Sequence, residues 1–253
     1  MDGTTTMNQD LHTKLAAVVD ALDPEFKSFG ARDSLLLLNA GVRSERELIE
    51  VIEGKSKTTE VRASACWFAG RLRLEDAVWA MIAALKDEHM AVREAAAEAL
   101  GQLGATDAVQ PLLRAMNDTI DVAVRLASVY ALGLIGDQQA IDPLISRVVD
   151  TNEQPRVRGM AAEKLGGFGD SRALDTLRAA LVDPSTEVRF WAAFALGELG
   201  DARALGDLEH SAASDHVMHP GWRTVSEEAA LAIESIKGRE DRNPSEADLL
   251  NKY

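Results

Sequence analysis

A Val-Arg pair, followed by small residues and a Leu-Gly pair, returns along this chain at intervals of 31, 32, 33 and 31 residues. The plain copies read VRASACWFAGRL from Val61, VREAAAEALGQLG from Val92, VRLASVYALGLIG from Val124, VRGMAAEKLGGFG from Val157 and VRFWAAFALGELG from Val188. A weaker sixth copy, VSEEAALAIES, starts at Val225 after a gap of 37. A period of this length is one supersecondary unit, which buries its apolar side only against its neighbours. The chain must therefore stack.

Within each copy, apolar and alanine positions recur at i, i+3, i+4 and i+7, the spacing of a helix buried along a broad stripe. Alanine has the highest helix propensity, and its small side chain lets neighbouring helices approach. Glycine marks the helix ends: Gly70, Gly101, Gly104, Gly133, Gly136, Gly166, Gly169, Gly197 and Gly200 are half of the 18 in the chain. The later one of each pair suits the left-handed residue that closes a helix. Segments such as DAVQPLLRAMND and QAIDPLISRVVD then supply a second amphipathic helix, with Pro111 and Pro143 in its first turn, where a missing N–H costs little. No alternating pattern of a half-buried strand appears.

The frames D-x(n)-V-R-x-x-A-A-x-x-L-G-x-x-G resemble the HEAT repeat family, and more closely the short bacterial type named after the phycobilisome lyases. The match runs over roughly residues 45 to 237. It implies an all-α fold, a right-handed α-α superhelix or HEAT-repeat solenoid of antiparallel helix pairs. It also implies a structural ladder in which Asp87 faces Arg93, Asp118 faces Arg125, Asp150 faces Arg158 and Asp183 faces Arg189, each pair reaching toward adjacent repeats. At the ends the pattern departs: Arg62 has Ser56 in the Asp position, and Ser214 and Ser226 replace both partners in the last copy.

Outside the repeats, residues 11–22, 32–39 and 44–53 read as helices, with Ser44 and Glu47 as a capping box. The expected organisation is a flexible N-terminus over 1–10, capping helices over 11–43, five to six helix pairs over 44–237 and a polar tail over 238–253, with a short helix after Pro244.

Catalytic signals are absent: there is no G-x-S-x-G, H-E-x-x-H, phosphate loop or Cys-x-x-Cys. The His-Glu dipeptides by which some HEAT proteins hold a di-iron centre do not occur. Cys66, the single cysteine, sits in the alanine column and reads as a core residue. His216 and His219, in the loop SDHVMHPGW, lack a third ligand for a metal, and Trp222 is expected to anchor that loop. A net charge of −14 repels a phosphate backbone, which sets aside a HEAT-fold DNA glycosylase or any other nucleic-acid partner. No apolar run is long enough for a membrane span and the start lacks a secretion signal, so a cytoplasmic protein is expected.

The Val-Arg helices offer one more set of positions, the residue after Arg and steps of four from it. These are Ala63, Trp67 and Arg71; Glu94, Glu98 and Gln102; Leu126, Tyr130 and Leu134; Gly159, Glu163 and Gly167; and Phe190, Phe194 and Glu198. They vary while the neighbouring Ala and Leu positions barely do. In the family the Val-Arg helices line the concave side, so the resemblance puts this set in the groove. Trp67, Leu126, Tyr130, Leu134, Phe190 and Phe194 would serve as anchors and Glu98 and Glu163 as acids, whereas Phe68 and Trp191, one step off, would fill the core. Trp79, on a second helix, is expected to lie partly beneath the cap.

The expected function is thus a non-catalytic scaffold or adaptor that holds a peptide or helix of another protein, preferably a basic one, without a cofactor and as a monomer. A different class is a bilin lyase or chromophore-handling chaperone. The stretch from Ala65 to Arg73, with Ala77 and Ala83 to Glu88, is similar to the first repeat of phycocyanin-type bilin lyase subunits.

Overall fold

The computed structural model describes residues 10–54, 57–118 and 120–240. These form fourteen α-helices and, apart from one isolated antiparallel bridge between Met218 and Thr224, no β-structure. Two compact units divide between Ile135 and Gly136. The first contains α1 (Leu11–Asp20), α2 (Pro24–Asn39), α3 (Glu45–Glu53), α4 (Thr59–Arg71), α5 (Val78–Ala84), α6 (Met90–Leu103), α7 (Val109–Ala115) and α8 (Val122–Ile135). The second contains α9 (Ile141–Val149), α10 (Pro155–Phe168), α11 (Leu174–Ala180), α12 (Thr186–Leu199), α13 (Leu205–Ser214) and α14 (Val225–Glu240).

The Val-Arg helices α4, α6 and α8 stack in order in the first unit, as α10, α12 and α14 do in the second, and the shorter helices pack against them. Small residues set the spacing. A Cβ added to Gly101 would lie 2.6 Å from the Cα of Ala131, and one added to Gly166 would lie 2.7 Å from the Cα of Ala195. Gly101, Gly166 and Gly197 are therefore packing residues, and the trailing glycine of a pair closes the helix: Gly104, Gly136, Gly169 and Gly200 have φ between 63° and 74°. In the first repeat that position is Arg73, which takes the same left-handed turn at φ 54° without being glycine.

The N-terminal helices differ from the expectation. The second begins at Pro24 rather than near 32, because Asp23 and Pro24 make a helix start and Gly30 is carried inside the helix. A Cβ at Gly30 would strike Leu22 at 2.5 Å, so glycine there serves the close α1–α2 approach rather than a break. Ser44 caps α3 by accepting from the Glu47 N–H at 3.2 Å, but the Glu47 carboxylate reaches back to the N–H of Arg43, at 2.6 Å, instead of Ser44. Helix α14 continues to Glu240, three residues into the segment read as tail. Residues 1–9 and 241–253, the helix expected after Pro244 and Ser56 all lie outside the described residues.

The arginine–carboxylate ion pairs run from one repeat to the next rather than within one frame. Arg62 pairs with Asp87, Arg93 with Asp118 and Asp121, Arg158 with Asp183, and Arg189 with Asp215. Each of these four arginines thus finds the carboxylate of the following repeat. Toward its own frame the arginine donates to the backbone carbonyl of the Asp, Arg93 to Asp87 at 2.7 Å, Arg125 to Asp118 at 2.9 Å and Arg189 to Asp183 at 2.9 Å. Arg158 donates to the carbonyl of Val148, and Asp150 meets Arg147 at 3.5 Å. The reason is that Asp is already engaged locally: Oδ1 of Asp87 accepts from the N–H of His89 and Oδ1 of Asp183 from that of Ser185, leaving Oδ2 for the preceding arginine. At Asp118 burial opposes the charge, yet the N–H groups of Asp121 and Ile120, with Arg93 and Arg125, hold the carboxyl below its ordinary range. Arg62 is therefore not orphaned by Ser56, and the final rung ends on Asp215, not on Ser214 and Ser226.

Candidate functional site

In the first unit, Trp67 and Glu98 meet at one cleft of about 370 Å³ formed by α2, α4 and α6. Trp67 and Ala63 form its apolar wall, one turn apart on α4. Glu94 and Glu98, one turn apart on α6, face them, and Glu60 and Asp33 add further carboxylates, with Arg32 at the rim. Trp67 is half-buried and fixed edge-on against the fully buried Phe68, with ring centroids 4.8 Å apart. The guanidinium of Arg71 lies over the indole at 4.9 Å, a geometry in which the ring face attracts cations. Burial lifts the Glu98 carboxyl above its ordinary range, the neighbouring Glu94 adds to this, and Arg71 opposes it. The cleft can hold a cationic side chain between an aromatic face and acids.

Leu126 and Tyr130 on α8 are half-buried and Leu134 is 44% exposed, so this column offers an apolar strip on the next inner helix. None of the three lines the Trp67 cleft.

The second unit departs from the expectation at Phe190, which is 1% exposed and belongs to the core. The loop between α13 and α14 covers it: His219 stacks on its ring at 4.5 Å and Trp222 lies 6.1 Å away. That loop turns at His219-Pro220-Gly221-Trp222, where the Trp222 N–H donates to the His219 carbonyl and Gly221 has φ 80°, the proline-glycine arrangement of a type II turn. Trp191 is half-buried rather than fully in the core. Its Nε1 donates to Glu187 at 3.0 Å, and His219 Nε2 lies 2.6 Å from the other Glu187 oxygen, so one carboxylate ties the loop to α12. Phe194 remains half-exposed beside Trp191, at 5.7 Å. Glu163 is engaged by Lys164 at 2.7 Å. Gly159 leaves space for Trp191, because a Cβ there would lie 2.9 Å from the indole.

Glu60, Asp33 and Glu187 were not singled out from sequence. A signal was present for two of them, since Thr-Glu-Val-Arg occurs both at 59–62 and at 186–189 and sets the glutamate one turn before the inward-facing column. Cys66 is fully buried, and burial pushes its thiol up to about 12, which makes it inert. No cluster of three or more His, Cys, Asp or Glu suited to a metal, and no helix long and apolar enough to cross a membrane, occurs among the described residues.

Stacked antiparallel helix pairs, small residues between them and an arginine–carboxylate ladder define an α-helical repeat protein. The chain belongs to the HEAT repeat family, whose model matches residues 45–129, 118–170 and 148–234. No curated protein matches it in sequence. Among solved structures, the complex of CpcE and CpcF of phycocyanin lyase from Nostoc sp. PCC7120 is similar, at 23% identity and TM-score 0.53 over 76% of this chain and 94% of that one. YibA of Escherichia coli is similar at 20% identity and TM-score 0.58 over 89% of this chain and 81% of that one. The S. pombe condensin Cnd3-Cnd2 subcomplex gives 18% identity and TM-score 0.55 over 90% of this chain and 33% of that one. At these identities the likeness is one of fold.

Proposed function

We propose that the chain is a non-catalytic protein-binding scaffold that holds a peptide or helix of a partner against its Val-Arg helices. The observation that carries this reading is the Trp67 cleft, where an aromatic wall faces Glu94 and Glu98 and Glu60 adds a third carboxylate. Such a cleft suits a lysine or arginine side chain, which the acids steer and pair beside the indole. The strip of Leu126, Tyr130 and Leu134 in the first unit, and Phe194 in the second, supply apolar contacts to the same class of partner. Affinity capture from native lysate with wild type, with the cleft variant Trp67→Ala and with the double variant Tyr130→Glu, Phe194→Glu, followed by mass spectrometry, tests it. A protein retained by wild type and lost by a variant of unchanged helicity supports the reading, and identical captures sink it.

A second reading, a bilin lyase or chromophore chaperone, rests on the residue likeness of 65–88 and on a solved neighbour described as phycocyanin lyase. Cys66 lies within that stretch, but its buried thiol offers no nucleophile. Absorbance of added phycocyanobilin separates the two, because a chromophore-handling protein shifts the spectrum and a peptide scaffold leaves it unchanged.

A further inference from the structure

The outer side of the first unit carries a second opening, distinct from the inner-helix cleft. A hollow of about 420 Å³ separates α5 from α7, walled by Trp79, Ile82 and Lys86 on one side and Pro111, Arg114 and Ala115 on the other. Both walls follow the spacing of one helix face, i, i+3, i+4 and i+7, and seven residues of helix span about 10 Å. Trp79 is 68% exposed here, not tucked beneath the cap. The buried stripe of this segment is Ala77, Ala80, Met81 and Ala84, and Trp79 falls off that stripe into the opening.

Charge decides what the opening suits. Lys86 and Arg114 are exposed, and neither has an ion-pair partner among the described residues. Asp118, also at the rim, is already engaged by Arg93 at 3.3 Å. In the second unit the corresponding steps between outer helices are closed by opposite charges, Arg172 with Asp142 at 3.1 Å and Arg178 with Asp207. Two cations cannot close this step in that way. On a chain of net charge −14, an exposed indole between two unpaired cations is a local reversal of sign, and complementarity selects an acidic ligand. We infer that the α5–α7 cleft is a second docking site, for an acidic segment of another protein that lays an apolar side chain on Trp79 and its carboxylates on Lys86 and Arg114. Tryptophan and arginine are the residues that most often dominate binding energy at such sites.

Panning a phage-displayed random dodecapeptide library on the full chain, with counter-selection on Trp79→Ala and on the double variant Lys86→Glu, Arg114→Glu, tests this. All three side chains are exposed or at the rim, and circular dichroism verifies that the variants are folded. Peptides kept by wild type and lost by both variants should be net acidic with an apolar residue. One of them, synthesised, should bind each variant about tenfold or more weakly, weaken with salt, and bind Trp67→Ala as it binds wild type. The inference is overturned when the variant-sensitive peptides are basic or uncharged, when no recovered peptide is sensitive to these substitutions, or when Trp67→Ala abolishes the same binding.

Discussion

Replacing Asp87 by Asn tests whether the ladder runs from repeat to repeat. The side chains of Asp87 and Arg62 are 4% and 5% exposed, so neutralising the carboxylate strands a guanidinium that water barely reaches. Oδ1 of Asp87 also accepts from the His89 N–H at 2.9 Å. Asparagine keeps that bond only by turning its amide NH2 toward Arg62, and a donor then faces a donor. Removing one partner of a buried ion pair costs about 3–5 kcal/mol, mostly through the charge left behind. Replacing Arg62 by Met as well removes that charge, so the double variant should lose less than the two single variants together, with a coupling of about 1–3 kcal/mol. Arg93, in contrast, meets Asp87 through the backbone carbonyl at 2.7 Å, a bond that asparagine retains. Coupling between Asp87→Asn and Arg93→Met should therefore stay below about 0.5 kcal/mol. Urea unfolding followed by far-UV circular dichroism yields all the free energies. A larger coupling with Arg93 than with Arg62 refutes the shifted register and restores pairing within one frame.

Two further outcomes follow from particular residues. Arg73→Gly should raise stability by about 0.5–1 kcal/mol, because Arg73 occupies the left-handed turn at φ 54° that glycine holds in the other repeats; a lower Tm refutes this. At Glu98 burial lifts the folded-state carboxyl above its ordinary value of 4.5, so the folded chain binds that proton more tightly than the unfolded one. The stability this adds is complete below pH 4.5 and is lost as pH rises through the raised value. Glu98→Gln should accordingly gain on wild type as pH climbs from 4.5, and a Tm difference that does not change with pH overturns the assignment.

Much of the architecture was legible because it is written locally and repeatedly. Six copies of one pattern, with alanine and glycine where backbones meet, specify helix pairs that bury their faces only by stacking. Trp67 and Glu98 were legible as members of one column on their helices, since steps of four along a helix share a side. The sequence reading placed this helix at 32–39 and missed its start at Pro24, and only the packing of Gly30 against Leu22 shows what the glycine is for.

The sequence by itself determined the helix pairs, their closing turns and the residue types available at each column. The tertiary structure alone decided which equivalent position meets which. A periodic chain presents the same Asp at every repeat, so no spacing argument tells Arg93 from Arg62 as the partner of Asp87; that choice depends on the step from one repeat to the next. Likewise Phe190 and Phe194 are one turn apart on one face, and it is the loop folded back through His219 and Trp222 that buries the first and leaves the second half-exposed. Trp79 was placed by the same kind of long-range geometry, because burial is a property of neighbours in space, and the α5–α7 gap has none to offer it.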